Sequence, residues 1–279
     1  MLRILLLKKI VKKILGRNLT QFAARKISGF PKKLTISKNS QKFNVICSNL
    51  RYYNFWNQYP EWENETFKIF DKFLKHEFSY IDIGSWIGPT VLYGCQKSKH
   101  CFALEPDPVA YKELLKNIGA NPIIKEKISV FQECIADHNG VFKFYPANGI
   151  LDNAGGSSSS LSGDGKYFWE VSGNTLSEFI ISNSIKNCNF IKIDVEGAEF
   201  MIISNAIEFL KNYKPTLLIE LHPMFVTDPL LKIKNLYNTL KIYKKLYDSN
   251  FNEINYESLM NIELSKTKQI IATDLDIKK

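Results

Sequence analysis

The chain has 279 residues and a net charge of +9, and 45% of its residues are hydrophobic and 23% charged. These values are those of a globular protein with a core, so wholesale disorder and a low-complexity fibre are excluded, and no apolar run approaches the ~20 residues of a membrane span. Five cysteines without a C-x-x-C pair predict neither a disulfide framework nor a zinc ribbon, and they favour a reducing, cytoplasmic location.

Positive charge is concentrated at the N-terminus. Residues 1–60 hold thirteen lysines and arginines and no acid, whereas the remaining 24 bases and all 28 acids lie in residues 61–279. The sequence therefore predicts a basic arm over residues 1–60, joined to a mildly acidic domain over residues 61–279. A basic arm can meet a membrane surface, a nucleic acid or an acidic partner.

The first 18 residues have the pattern of a basic amphipathic helix. One face collects the apolar side chains Ile4, Leu7, Ile10, Val11, Ile14 and Leu15, and the opposite side carries the lysines Lys8, Lys9, Lys12 and Lys13. Such a helix lies in an anionic membrane interface, or it packs on its own protein or on a second subunit. A nucleic acid is the third and least favoured partner of this helix, because a protein that binds nucleic acid rarely needs so many leucines and isoleucines opposite its lysines.

Strands and helices are predicted in regular order after the arm. Residues 19–60 are basic, then aromatic, and predict short strands or irregular structure, and residues 63–76 have helical spacing of apolar side chains. The predicted strands are 78–84, 100–105, 128–136, 140–146, 190–195 and 216–222, and the predicted helices are 89–96, 107–118, 175–183, 197–211 and 228–247. Two β-like segments, 251–257 and 268–274, end the chain.

This alternation of strands and helices predicts an α/β fold. The sheet is expected to be doubly wound and mostly parallel, with antiparallel character only near the end of the chain. Ligands bind such a sheet beyond the carboxyl ends of its strands. Functional residues are therefore expected where strands stop, at residues 82–88, 105, 134–137, 194–199 and 220–223.

A Gly- and Ser-rich stretch at residues 153–165 interrupts the alternation and precedes Tyr167, Phe168 and Trp169. Such a loop, beside a site that must exclude water, serves as a lid whose aromatic rings stack on a sugar ring. The alternative is an excursion of the chain whose aromatic side chains pack into the core.

The turn after the strand 78–84 predicts a nucleotide site of a particular kind. It reads Asp82-Ile83-Gly84-Ser85-Trp86-Ile87-Gly88. In the dinucleotide fingerprint G-x-G-x-x-G a glycine stands in the place of Asp82, and a pyrophosphate approaches the helix N-terminus. A carboxylate there repels a pyrophosphate, which argues against a nicotinamide dehydrogenase, and favours a ligand with an ammonium group, such as S-adenosylmethionine. We therefore predict that Asp82, Gly84, Ser85 and Gly88 bind S-adenosylmethionine.

Two further acids complete the predicted cofactor site. Glu105 ends the second of these strands, where it accepts hydrogen bonds from both ribose hydroxyls or merely caps the helix that opens with Asp107. Asp137 lies further along, where it accepts a hydrogen bond from the adenine amino group or belongs to an ordinary turn. Each piece is weak alone, but their order and spacing together favour a nucleotide site.

Four segments carry a resemblance to a known family. They are YIDIGSWIG (80–88), ALEPDP (103–108), FIKIDVEGAEF (190–200) and LIELHP (218–223). With them the sequence resembles the FkbM family of S-adenosylmethionine-dependent methyltransferases over about residues 60–225. The resemblance implies the seven-stranded Rossmann-like sheet of class I methyltransferases, preceded here by the basic helical extension. It also implies O-methylation of a sugar, glycolipid or polyketide hydroxyl.

Methyl transfer to a hydroxyl is an in-line displacement in which the attacking oxygen must lose its proton. The candidates follow the strands 190–195 and 216–222. We predict Asp194 or His222 as the base, with Glu196 and Glu220 orienting the acceptor.

Neighbouring charged residues have a structural interpretation. Glu199 in a first helical turn is favoured by the helix dipole alone, and Lys192 pairs with a carboxylate as part of the scaffold. A divalent ion bound by Asp194, Glu220 and His222 is the less favoured alternative, because their spacing is not diagnostic of a metal site. No metal is therefore predicted.

A sugar or glycolipid acceptor is the predicted partner, and residues 1–18 place the protein on the inner face of a membrane if they bind anionic lipid. One alternative is a nucleic acid methyltransferase that uses the basic arm. Enzymes that methylate base amines commonly carry an Asn/Asp-Pro-Pro-aromatic turn where this chain has Asp194-Val195-Glu196-Gly197, and an acidic mouth repels phosphates. The other alternative is a non-catalytic nucleotide-binding module, which would be expected to lose the acids at the strand ends.

Overall fold

The computed structural model describes residues 29–146, 161 and 166–277 of the chain. Two compact units are distinguished, Met1–Trp62 and Glu63–Lys279. The predicted amphipathic helix over residues 1–18 lies outside the described residues, as does the predicted lid over residues 153–165 apart from Leu161.

The first unit contains a β-hairpin followed by a helix. Its elements are strand β1 (Lys32–Lys38), strand β2 (Gln41–Cys47) and helix α1 (Leu50–Gln58). The strands pair antiparallel, and α1 begins after Asn49, whose side chain accepts a hydrogen bond from the backbone N–H of Tyr52. Trp56 and Tyr59 are fully buried and pack against Phe43 of β2. The aromatic stretch is thus helical because its large rings share one buried face.

The second unit is built on a seven-stranded sheet. Its strands are β3 (Ser79–Ile83), β4 (His100–Leu104), β5 (Ile128–Phe131), β9 (Cys188–Ile193), β10 (Thr216–Leu221), β11 (Lys245–Asp248) and β12 (Lys268–Thr273). They join in the order β11-β12-β10-β9-β3-β4-β5. The run from β10 to β5 is parallel, and β12 is antiparallel to both of its neighbours. The carboxyl ends of β3, β4, β9 and β10 therefore meet at one edge.

Helices connect these strands, and a small second sheet accompanies them. The helices are α2 (Asn64–Phe73), α3 (Pro89–Gly94), α4 (Pro108–Gly119), α5 (Pro122–Lys125), α6 (Leu176–Ser182), α7 (Glu199–Asn205), α8 (Ile207–Tyr213), α9 (Pro229–Leu240) and α10 (Tyr256–Met260). The small sheet joins β6 (Glu133–Ile135), β8 (Trp169–Asn174) and β7 (Gly140–Phe144), in that order. The predicted fold, a doubly wound, mostly parallel seven-stranded Rossmann-like sheet, is confirmed.

The prediction of one strand over residues 128–136 is wrong, because the segment contributes to two sheets. The main sheet ends at Phe131, whose carbonyl accepts a hydrogen bond from the backbone of Glu105, and Gln132 is exposed. The chain then forms β6, which pairs with β8 in a stretch where no strand was predicted. The residues of β5 and of β6 are equally suited to a strand. The two strands are therefore distinguished only by the strands with which they pair.

The predicted helix over residues 197–211 is two short helices. Gly197 has a φ of +106°, so helical conformation starts only at Glu199. The backbone leaves helical geometry again at Ala206, between α7 and α8. Apolar periodicity continues across the break, which is why the sequence predicts a single helix.

Two predictions near the end of the chain are corrected. The helix predicted over residues 228–247 ends at Leu240, because Leu246 and its neighbours form the edge strand β11. The β-like segment predicted over residues 251–257 makes a single bridge at Glu253 and then enters α10. The predicted final strand is present as β12.

Candidate active site

The turn after β3 brings the backbones of two strand ends into contact. Gly84 has a φ of +83°, and a Cβ at this position would lie 1.8 Å from the backbone oxygen of Asp194. Gly88 has a φ of +94° and precedes α3, and a Cβ there would lie 2.7 Å from a methyl group of Leu114. Both predicted glycines are therefore required by the path of the chain itself.

Ser85 is a residue of this turn rather than an exposed polar group. It is buried, and its hydroxyl donates a hydrogen bond to the backbone oxygen of Asp82 at 2.9 Å. The backbone N–H groups of Gly84 and Ser85 both donate to the carbonyl of Leu104 at the end of β4. The turn is thus tied to the neighbouring strand.

Glu105 supports the same turn from the end of β4. It is buried, and its Oε2 accepts a hydrogen bond from the backbone N–H of Trp86 at 2.7 Å, while Oε1 accepts from that of Asp107 at 2.8 Å. Burial raises the pKa of Glu105 to about 8, and the charge of Asp107 adds to the shift. Asp107 itself caps α4 through Val109 and Ala110, so the helix does not depend on Glu105 for its cap.

Asp137 lies in a turn at the surface. It follows β6 of the small sheet, its side chain is exposed, and Oδ1 lies 2.7 Å from Nδ1 of His138. Asn139 in the same turn accepts a hydrogen bond from the backbone of Thr175 at the start of α6. The turn interpretation therefore describes the geometry, and the contact with adenine stays a prediction.

Lys192 joins the two groups of predicted residues. Its buried Nζ lies 3.5 Å from Oδ1 of Asp82 and 3.1 Å from Oδ2 of Asp194, and it donates to the backbone oxygen of Gly84 at 3.4 Å. Burial alone would lower the pKa of Lys192, but the two carboxylates raise it above its usual value. Asp82, which is fully buried, thus has an ammonium partner within the chain, and its contact with a ligand ammonium stays a prediction.

His222 lies between three carboxylates after β10. Its Nε2 is 3.7 Å from Oδ1 of Asp194 and 3.7 Å from Oε2 of Glu196, and its Nδ1 is 3.6 Å from Oε1 of Glu199. Burial alone would lower the pKa of His222, but the three carboxylates outweigh burial and raise it to about 9. The raised pKa favours the imidazolium form at neutral pH, which carries an N–H on each ring nitrogen.

Glu199 joins the loops that follow β9 and β10. It is fully buried, and its carboxylate accepts hydrogen bonds from the backbone N–H groups of His222 at 2.6 Å and of Gly197 at 2.8 Å. These contacts agree with the structural interpretation of Glu199, although they involve loop amides rather than the helix dipole alone.

Glu220 and an unpredicted residue, Glu63, complete the cluster. Oε2 of Glu220 accepts a hydrogen bond from Gln269 of β12 at 3.2 Å, and burial together with the charge of Asp194 raises its pKa. Glu63 precedes α2, and burial, Glu220 and Asp194 raise its pKa to about 8. An acid before a helix is an ordinary sequence feature, so no motif marks Glu63.

The aromatic ring beside this cluster is not one that the sequence singled out. Phe225 stacks on the ring of His222, with centroids 6.0 Å apart and planes at 28°, and Phe225 is 45% exposed. Of the predicted lid aromatics, Phe168 contacts Tyr145 and lies under the ammonium of Lys143. Trp169 and Leu161, the one described residue of the loop, pack against the core of the small sheet.

Two features are absent from the residues that the structure describes. Among them, no group of three or more His, Cys, Asp or Glu side chains is arranged to bind a metal ion. Within the same residues, no helix combines the length and the apolar character needed to cross a membrane.

Comparison with known proteins points to one family. The model of the "Methyltransferase FkbM domain" matches residues 82–245, more than half of the chain, whereas a search of curated proteins finds no match. Among solved structures, the chain is similar to methyltransferase FkbM from Methylobacillus flagellatus KT, with 16% identity, 70% of this chain and 44% of that chain covered, and a TM-score of 0.44. The chain therefore spans less than half the length of that relative.

Two further solved structures are similar to the chain. The fibrillarin pre-rRNA processing protein of Methanococcus jannaschii has 14% identity, 87% of this chain and 83% of that chain covered, and a TM-score of 0.44. TrmK of M. capricolum, in complex with the cofactor product S-adenosylhomocysteine, has 16% identity, coverages of 74% and 66%, and a TM-score of 0.38.

Proposed function

Because the chain belongs to the FkbM methyltransferase family, whose domain model matches residues 82–245, we propose that it transfers a methyl group from its cofactor S-adenosylmethionine to a hydroxyl of a sugar or glycolipid. The observation that carries this proposal is the carboxylate of Asp194, which lies near two cations, Lys192 and His222, in a site rich in acids. Such a carboxylate takes a proton from a hydroxyl, and the surrounding acids accept hydrogen bonds from further hydroxyls.

The residues along β3 and β4 fit the cofactor. The carboxylate of Glu105 is buried beside the Gly84–Gly88 turn, and each oxygen keeps a lone pair for a ribose hydroxyl beyond its backbone partner. Asp137 offers an exposed carboxylate to the adenine amino group. Asp82 beneath the turn suits a ligand without phosphate. When bound, S-adenosylmethionine supplies a methyl carbon activated by its sulfonium.

Of the two residues considered as the base, Asp194 suits the role better. Its side chain is 27% exposed, whereas that of His222 is 4% exposed. Because the pKa of His222 is raised to about 9, the ring already holds its proton at neutral pH. We therefore assign proton removal to Asp194 and orientation of its carboxylate to Lys192 and His222. Glu196, 3.7 Å from His222, borders the same group.

The acceptor class is tested by labelled methyl transfer. Purified protein is incubated with labelled S-adenosylmethionine and, separately, with methyl glycosides of common hexoses, a glycolipid extract and total RNA. Label in the glycosides or the glycolipids is the expected result. Label in RNA alone would overturn the proposal and favour the alternative in which the basic arm binds nucleic acid.

Replacing Phe225 with alanine is expected to raise the KM for the acceptor about tenfold with little change in the affinity for S-adenosylhomocysteine, since an aromatic contact and its buried area contribute about 1–2 kcal/mol. The exposed face of Phe225 suits the apolar face of a sugar ring while nearby carboxylates bind its hydroxyls. Steady-state kinetics and calorimetry measure the two quantities. Phe225→Tyr should retain the wild-type KM, and an equal loss of cofactor affinity in Phe225→Ala would instead indicate a damaged fold.

Deleting residues 1–18 is expected to abolish co-sedimentation with phosphatidylglycerol vesicles, because these residues combine an apolar face with lysines. Binding through residues 1–18 would bring the protein to a membrane that carries a glycolipid acceptor. Vesicles of phosphatidylcholine serve as the control, since they lack the anionic charge. Unchanged sedimentation of the shortened chain would refute the membrane role of the arm.

A further inference from the structure

Glu63 brings a carboxylate to the cluster from outside the strand-end turns. It stands before α2 with a φ of +43°, and its Oε2 accepts a hydrogen bond from the hydroxyl of Thr66 at 3.1 Å. The charged groups that face it are Glu220, Asp194 and Lys192. Glu63 therefore lies within the electrostatic reach of the proposed base, although the function proposed above does not use it.

A chain of hydrogen bonds connects Glu63 to Glu220. Nε2 of Gln269, on β12, lies 2.7 Å from Oγ1 of Thr66 and 3.2 Å from Oε2 of Glu220. Thr66 is buried and in turn donates to Glu63. Helix α2, strand β10 and strand β12 thus fix the two carboxyl groups at the ends of one polar chain, so neither depends on a flexible surface loop.

We propose that Glu63 and Glu220 form a carboxyl pair in the acceptor site, which binds the hydroxyl next to the one that is methylated and so selects an uncharged vicinal diol. This inference rests on the proposed function and names the acceptor chemistry within it. Two cations lie nearby, Lys192 and His222. Lys192 already pairs with Asp82 and Asp194, and His222 lies among the three carboxylates described above, so the carboxyl pair has an excess of negative charge. A phosphate or carboxylate on the acceptor would be repelled here.

The carboxyl group of Glu63 favours its protonated form at neutral pH. Burial and the neighbouring carboxylates raise the pKa of Glu63 to about 8 and raise that of Glu220 as well. The protonated carboxyl group of Glu63 then donates a hydrogen bond to the hydroxyl oxygen, and a carboxyl oxygen of Glu220 accepts the hydroxyl hydrogen. Above pH 8 the proton is lost and the donor disappears, so acceptor binding weakens as the pH rises.

The test is the pH dependence of the KM for the methyl glycoside that is methylated fastest. In the wild type, KM should rise above pH about 8 while kcat stays nearly constant until His222 loses its proton near pH 9, because Glu63 binds the acceptor without taking the reacting proton. Glu63→Gln keeps a donor at every pH, so the alkaline rise in KM should vanish. Glu63→Ala should raise KM about tenfold at neutral pH, the usual effect of losing one hydrogen bond.

The control is Glu65→Gln on the same helix. The carboxylate of Glu65 is exposed, and its ion pair with Lys68 is long, at 3.9 Å. This variant should keep the wild-type profile. The monodeoxy glycoside that lacks the neighbouring hydroxyl should be a poor acceptor for the wild type, and this discrimination should be lost in Glu63→Ala. If that variant does not fold, the profile of Glu63→Gln decides.

Two failures can be told apart. Methyl transfer to glycosides with a wild-type profile in Glu63→Gln would overturn the carboxyl pair and leave the proposed function standing. Absence of transfer to every glycoside and glycolipid by a wild type that binds S-adenosylhomocysteine would overturn the proposed function and the pair with it.

Discussion

Replacing Asp194 with asparagine is expected to lower kcat for methyl transfer by about 10²–10⁴-fold, the usual contribution of a positioned general base. Asparagine keeps the size of the side chain and can still accept a hydrogen bond from Lys192, which lies 3.1 Å from the carboxylate. It cannot take a proton from the acceptor hydroxyl. Initial rates with labelled S-adenosylmethionine at saturating acceptor measure the loss.

The control for this variant must separate catalysis from the loss of an ion pair. Asp71→Asn also removes a carboxylate beside a lysine, since Asp71 lies 2.9 Å from Lys97, and it should keep the wild-type kcat. Binding of S-adenosylhomocysteine to Asp194→Asn should stay close to that of the wild type. A kcat retained in Asp194→Asn would assign proton removal to another group.

The positions of the strand-end residues could be predicted because a parallel sheet constrains them. Once β3, β4, β9 and β10 are recognised as parallel strands, residues such as Asp82, Glu105 and Asp194 must lie along one edge. The pairing of Lys192 with Asp194 could also be predicted. Side chains alternate between the two faces of a strand, so residues 192 and 194 lie on the same face at the end of β9. This part of the site could therefore be predicted from the local sequence.

The remaining part of the site depends on packing between distant segments. Glu63 is linked to Glu220 through Thr66 of α2 and Gln269 of β12, which are far apart in the sequence. The raised pKa of His222 depends on three carboxylates of residues 194–199, which the fold brings beside the turn after β10. Periodicity likewise could not separate β5 from β6, because the choice of partner strand, not the residues themselves, divides them.

The charge distribution of the site also limits the chemical classes of acceptor that we expect. Asp82, Asp194 and the Glu63–Glu220 pair surround Lys192, and Glu196 and Glu199 adjoin His222. The carboxyl groups of this site outnumber its two cations, Lys192 and His222. We therefore expect neutral polyols rather than phosphorylated acceptors, because a phosphate would add charge of the same sign.

Glu105→Ala is expected to weaken S-adenosylhomocysteine binding by about 10²–10⁴-fold, since two hydrogen bonds from ribose hydroxyls to a carboxylate contribute about 1.5–3 kcal/mol each. The variant also removes the acceptor for the backbone N–H of Trp86, which loosens the turn after β3. Calorimetry measures the affinity. Glu113→Gln is the matched control, because Glu113 is also a buried glutamate, 2.6 Å from Lys116 of α4, and should leave the affinity unchanged.

The raised pKa of Glu105 gives this prediction a second, independent signature. Because hydroxyl donors bind the ionised carboxylate, the ligand must displace a proton wherever Glu105 is protonated, which is below pH about 8. The affinity of the wild type should therefore rise with pH, by up to about tenfold per pH unit below that value, and level off above it. Calorimetry in buffers of different ionisation enthalpy should detect the released proton at pH 7, and Glu105→Gln should release none. A pH-independent affinity in the wild type, together with an unchanged affinity in Glu105→Ala, would mean that the ribose binds elsewhere and that Glu105 serves only to hold the turn.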